Sequence, residues 1–182
     1  MTQSQVTDPR GYIRTTAYNS DGCMTSDTRA VGKPEQQTTT YNRQQGTGIF
    51  LSVTDALNRT TAYSYDAMAD VTSETRLSGT SNAVTTTIAY DQRYYEPSAI
   101  TDPLGNTTAI TYDNSGDMLS VTDPLGDTSA FNYNSAGQPT TATDALGNQT
   151  QSPTIPVILR ILPIHLVEYR HNLLMPRGGW RR

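Results

Sequence analysis

From about residue 10 to residue 150 the apolar residues come singly and at alternate positions, in short runs closed by Asp, Asn, Pro and Gly. In TTAITY, residues 107–112, Thr108, Ile110 and Tyr112 fall on one side, and Thr107, Ala109 and Thr111 on the other. That is the period of a strand with one wet face. Asp113-Asn114-Ser115-Gly116 then has the make-up of a tight turn, Met118 to Thr122 reads as the return strand, and Asp123-Pro124-Leu125-Gly126 reverses the chain again. Asp accepts backbone N–H groups, Pro presets φ near about −65°, and Gly takes the positive-φ position without a Cβ clash. Each unit is one antiparallel strand pair between two short reversals.

The unit recurs. Thr-Asp dipeptides begin at 7, 54, 101, 122 and 143, giving intervals of 47, 47, 21 and 21, and the longer interval reads as a double unit. MTSDTR at Met24 to Arg29 matches VTSETR at Val71 to Arg76 at the same 47-residue offset. The turn acids are Asp8, Asp55, Asp102, Asp123 and Asp144, followed by Gly11, Gly105, Gly126 and Gly147, with Asn58 in the remaining copy. Asn is the next-best occupant of left-handed space. Ala69 stands where Gly116 would be, and the loop from Tyr90 to Pro97 has no glycine, so turn chemistry is weakest at those two places. Tyr18, Tyr41, Tyr65, Tyr90, Tyr112 and Tyr133 close the outgoing strands at spacings of 21 to 25 residues.

A lone hairpin is marginal in water, whereas strands added edge to edge satisfy one another's backbone groups. Cross-strand aromatic and β-branched pairs contribute about 0.2 to 1 kcal/mol each. The expected fold is therefore all-β, with repeated antiparallel hairpins forming one extended sheet. Those six tyrosines are expected in rows, as are Val6, Val53, Ile100, Val121 and Ala142. Spacing does not say whether the sheet curls.

Composition agrees with this and narrows the partners. Thr is abundant and Tyr supplies most of the aromatic surface, which suits a pleated, half-wet sheet. Residues 1–150 carry 8 Lys and Arg against 16 Asp and Glu, whereas 151–182 carry 5 against 1. An acidic repeat region argues against nucleic acid. Cys23 is the only cysteine, so neither an intrachain disulfide nor a Cys-rich metal cluster can form. The N-terminal MTQSQVTDPRG lacks an apolar leader, so a secreted or cell-surface parent is expected only if the chain is an interior piece.

Chemistry needs one special place, and the repeat offers none. There is no His before His165, no Gly-x-Ser-x-Gly and no phosphate-cradling loop. The turn aspartates read as turn formers rather than general bases. Asp113 to Asp117 resembles a calcium loop only faintly, lacking the downstream bidentate Glu. No enzyme, cofactor or metal site is expected.

The pattern Tyr-Asp-x-x-Gly, return strand, Thr-Asp-Pro-x-Gly, as in YDNSGDMLSVTDPLG from Tyr112 to Gly126, resembles the YD repeat of bacterial RHS and wall-associated proteins, of the C component of Tc toxins and of teneurins. The resemblance spans residues 6 to about 150. It implies a curved sheet belonging to a hollow shell around a toxin or other C-terminal cargo, of which this chain would be a stretch of wall. Its partners would then be neighbouring repeats of a larger parent and the enclosed cargo. The family's self-cleaving core has no counterpart here. A binding module is the alternative, with tyrosines beside Asp and Asn stacking on glycans.

The repeat, residues 1–152, gives way to a tail at 153–182. Glycine to tyrosine is seven residues in Gly11 to Tyr18, Gly105 to Tyr112 and Gly126 to Tyr133, so Gly147 predicts Tyr at 154, where the chain has Thr154. Back-translation of Pro153 to Pro156 permits Tyr-Asp in the shifted frame at that point. A frameshift near Gln151, leaving a non-repeat and poorly ordered tail, accounts for the change. The tail's apolar run is interrupted by Pro156, Arg160, Pro163 and His165 and is too short to span a bilayer. His165 and His171 have no nearby Asp or Cys to make a metal site.

Overall fold

The computed structural model describes residues 2–151; the tail and its expected frameshift lie outside the described residues. Fourteen strands follow in chain order: β1 (Thr2–Thr7), β2 (Ile13–Tyr18), β3 (Met24–Arg29), β4 (Gln37–Arg43), β5 (Phe50–Thr54), β6 (Thr60–Tyr65), β7 (Val71–Arg76), β8 (Val84–Tyr90), β9 (Pro97–Thr101), β10 (Thr107–Tyr112), β11 (Met118–Thr122), β12 (Thr128–Tyr133), β13 (Pro139–Thr143) and β14 (Gln149–Gln151). No described residue is helical. The chain divides into two compact units, one of residues 1–111 with 122–126, the other of 112–121 with 127 onward.

In the first unit every strand from β1 to β10 pairs antiparallel with its sequence neighbour. In the second, β12, β13 and β14 do the same. The alternation read from the sequence sets the faces: in β10 Ile110 is buried while Thr107, Ala109 and Thr111 are exposed, and β12 repeats this with Phe131. Tyr63, Val71, Ile88 and Ile100 are buried likewise. Among the described residues no large side chain is fully enclosed, as befits a sheet with no second layer over it.

The opposite face is built of short hydroxyl side chains. Thr54 meets Thr60 across its turn with hydroxyls 2.8 Å apart, and Thr101 meets Thr107 at the same 2.8 Å. Thr28 with Thr38 and Thr75 with Thr85 form the same pair at 3.0 and 2.9 Å. The Thr of each of these two Thr-Asp dipeptides thus locks the strands at the mouth of the turn, a cross-strand contact that β-branching favours.

Positions 47 apart agree in conformation. Ala30 and Leu77 both take positive φ, at 52° and 54°. Val31 N–H donates to the Ile13 carbonyl at 3.0 Å, and Ser78 N–H to that of Thr60 at 2.9 Å. The double unit exceeds two single units because its middle loop (residues 30–36 and 77–83) and following turn (residues 44–49 and 91–96) are longer than the five-residue Asp and Asn turns, and the two strands flanking the middle loop are each a residue longer than those of the single unit.

Candidate functional site

The repeat-defining residues gather at the strand ends, where the chain reverses. In the Thr-Asp turns each Asp carboxylate accepts backbone N–H groups from its own turn. Asp102 Oδ1 takes those of Leu104 and Asn106 at 2.8 and 2.9 Å, and Asp144 Oδ1 those of Leu146 and Asn148 at 3.0 and 2.8 Å. Asp8 and Asp55 do the same, and Asp123 takes Leu125 N–H. Gly105 then folds back at φ 87°, its N–H donating to the Asp102 carbonyl at 3.0 Å. Gly11, Gly126 and Gly147 occupy the same left-handed position, as does Asn58 at φ 58°.

The reversals at the other strand ends use the same turn. Asn19, Asp66, Asp113 and Asn134 each accept N–H groups from two and four residues on. The two turns of weak chemistry form nonetheless: Ala69 adopts φ 68°, and Tyr95 supplies the positive φ, 55°, in the glycine-free loop. Local hydrogen bonds outweigh the Cβ penalty there.

These bonds have an electrostatic signature. The carboxyls of Asp8, Asp55, Asp102 and Asp144 are held below their ordinary range, chiefly by Tyr12 N–H for Asp8, by the Arg59 guanidinium for Asp55, and by the side-chain amides of Asn106 and Asn148 for the other two. They act as acceptors for the N–H groups of their own turns.

Tyr18, Tyr65, Tyr90, Tyr112 and Tyr133 are the last residues of β2, β6, β8, β10 and β12, all half-buried. Register shifts precede Tyr18, Tyr65, Tyr90 and Tyr133, and in each the extra residue, Thr25, Thr72, Ser98 or Thr140, lies on the return strand opposite. Tyr41 departs from the expected series. It lies inside β4 opposite Val53, as Ile88 lies opposite Ile100, and the strand-end position with its bulge belongs to Arg43. Even spacing of tyrosines along the chain hid this, although the 47-residue offset aligns Tyr90 with Arg43 rather than Tyr41. Of the aliphatic series, Ile100 and Val121 are buried and Val53 and Ala142 half-buried, but Val6 is 65% exposed.

Asp27 was not singled out from the sequence. It is buried at 6% exposure, and Arg14 binds it at 2.6 and 3.1 Å through both of its carboxylate oxygens, with Arg29 at 3.3 Å. The Arg14 hydrogen bond is the main cause of its lowered pKa. Glu74, 47 residues on, faces Arg76 at 3.7 Å. The signal was present in the match of MTSDTR to VTSETR, which keeps an acid two residues before an arginine. In the second unit Asp113, Asp117, Asn132, Asn134 and Tyr133 line an open concavity. Burial, then Asp117 and Asp113, raise the Tyr133 pKa.

The antiparallel pairing of successive strands and these recurring turns define an antiparallel β-repeat protein. Residues 96–128 and 112–149 match the RHS Repeat family model, so those stretches are RHS, or YD, repeats. Among solved structures the chain is similar to a chain of TcdB2-TccC3 crystallised without its hypervariable C-terminal region, at TM-score 0.61 and 15% identity over 82% of this chain and 9% of that one. It matches TcdB2-TccC3 itself at TM-score 0.61 and 14% identity, over 82% and 10%. The likeness establishes the fold, and the chain spans about a tenth of the length of those proteins. No curated protein sequence matches. The chain is a structural repeat module.

Proposed function

We propose that this chain is wall material of an RHS-type shell, whose parent encloses a toxin or effector domain. The observation that carries the reading is the recurrence of one turn: the side chains of Asp8, Asn19, Asp55, Asp66, Asp102, Asp113, Asn134 and Asp144 each accept backbone N–H groups of their own reversal, so the unit can be copied without any site becoming special. Its similarity to TcdB2-TccC3 chains ten times longer supports an array continued by neighbouring repeats. The test is limited proteolysis of the parent with its cargo. Cargo that resists digestion until the repeats are cut supports the proposal; cargo digested as fast as its free form refutes it.

Carbohydrate binding has less behind it, because the tyrosines serve the sheet: the Tyr90 hydroxyl donates to the Val71 carbonyl at 2.8 Å. Saturable binding on a glycan array, abolished by Tyr112→Ala and Tyr133→Ala, would reverse that preference. For residues 153–182 the proposal is frameshifted sequence, supported by genomic reads that resume Tyr-Asp repeats in the alternate frame and refuted by reads that do not.

A further inference from the structure

Among the described residues β1 has one neighbouring strand, where its two copies have two. By the 47-residue offset, residues 3–7 of β1 correspond to β5 and to β9. β5 lies between β4 and β6, and β9 between β8 and β10, whereas β1 bonds only β2. The consequence falls on one side chain. Val53 is half-buried and Ile100 is 7% exposed, but Val6 stands 65% exposed. The backbone is left open as well: Asp8 N–H donates to the Tyr12 carbonyl, so by antiparallel alternation Ser4 and Val6 bond β2 while Gln3, Gln5 and Thr7 turn their N–H and C=O groups outward. All six residues of β1 are exposed, and none is charged or Pro, the residues that ordinarily blunt a free edge.

We infer that this edge docks one further strand, antiparallel and of the β4 and β8 kind, and that the adjoining repeat of a larger parent supplies it. This rests on the wall reading above and adds to it the register. Tyr41 pairs with Val53 and Ile88 with Ile100, so a large apolar residue falls opposite Val6. Thr40 pairs with Thr54 and Thr87 with Thr101, which sets a threonine opposite Thr7. Beyond a one-residue shift Arg43 pairs with Phe50 and Tyr90 with Pro97, which sets an Arg or Tyr opposite Gln3 and leaves Ser4 as the extra residue of the bulge. A second copy of this chain is a poorer occupant. Its own β4 and β8 already have partners on both sides, and its β14 is a strand of three exposed residues.

A strand in this register satisfies the outward groups of β1 and covers Val6 at once. A slip of one residue would turn its apolar side chain to the other face and leave Val6 bare. Register is therefore what separates this occupant from any other uncharged strand.

The test supplies the strand. Residues 84–96, VTTTIAYDQRYYE, placed directly before Gln3 of the full chain in place of Met1 and Thr2, reproduce the connection from β8 to β9. Amide hydrogen exchange at Gln5 and Thr7 should then slow by about tenfold or more relative to the unextended chain. Val6→Ala, nearly silent in the unextended chain, should lower the melting temperature of the extended one. The same extension with Ile88→Ser in the added copy should lose most of the protection. Exchange that is unchanged at Gln5 and Thr7, equal protection from a Gly/Ser extension of the same length, or protection of the unextended chain that grows with its concentration would each overturn the inference, the last by giving the edge to a second copy. None of these results bears on whether the parent's cargo resists digestion, so the wall reading stands or falls separately.

Discussion

Arg43 and Tyr90 hold the same place in successive double units and make the same bond by different chemistry. Arg43 Nε donates to the Met24 carbonyl at 2.9 Å, and the Tyr90 hydroxyl to the Val71 carbonyl at 2.8 Å. Arg43 also lies 3.5 Å over the Phe50 ring and donates to the Gly48 carbonyl. Tyr90→Phe should therefore cost about 1 kcal/mol, one hydrogen bond, and Arg43→Ala about 2 kcal/mol, since it strips two carbonyls and a ring contact. Arg43→Tyr should fall within about 1 kcal/mol of wild type, because it restores the bond its equivalent makes. Urea midpoints measure all three. A loss for Arg43→Tyr as large as for Arg43→Ala would show that the two positions are not interchangeable.

Left-handed positions give a pair of opposite signs. Ala69 sits at φ 68° and Gly105 at φ 87°, and a Cβ on Gly105 would meet no atom within 4 Å. Conformational strain is thus the only cost. Ala69→Gly should stabilise by up to about 1 kcal/mol, and Gly105→Ala should destabilise by about 1 kcal/mol. Thermal melts suffice to compare them; equal signs would contradict the shared turn geometry.

Acid should loosen the chain through its turns and through Asp27. The carboxyls of Asp8, Asp27, Asp55, Asp102 and Asp144 all titrate below their ordinary 3.8 when folded. A depressed folded-state pKa gives stability that is whole above the unfolded-state value and is lost as pH falls below 3.8 through the folded-state values. Denaturant midpoints should therefore drop steeply in that window and stay nearly flat above it. Asp102→Asn should keep its turn, since Asn134 accepts the same two N–H groups and donates Nδ2 to Gln138 Oε1 at 2.9 Å. Its melting temperature at neutral pH should barely change, while the acid slope becomes shallower. An unchanged slope would remove Asp102 from the set.

Much of this was legible because the information is local. Asp, Pro and Gly act within four residues, so Asp102-Pro103-Leu104-Gly105 specifies its turn wherever it stands. Alternation likewise placed Ile110 and Tyr112 on one face and Thr111 on the other. Tyr41 failed because a side chain's row depends on its partner strand: the bulge before Arg43 shifts the register by one residue, and nothing in the sequence near Tyr41 reports it. Asp27 was obscure for the converse reason. An acid at an inward position looks like a solvated one until Arg14, on the neighbouring strand, is seen beside it.

The same distinction separates two residues that the motif treats as equal. Val6 and Ile100 each precede a turn Asp by two positions. Ile100 lies between Ile88 and Thr108 and is 7% exposed, whereas Val6 has Arg14 across from it and is 65% exposed. Truncation to Ala should cost about 3 kcal/mol at Ile100, where apolar contacts on both sides are lost, and less than about 0.5 kcal/mol at Val6. Guanidinium denaturation of the two variants decides it. Comparable losses would mean that Val6 is covered in solution, and the natural cover is another strand on the open edge of β1. In that case the Val6→Ala penalty should shrink on dilution, because a cover supplied by a second molecule follows mass action and one supplied by the chain itself does not.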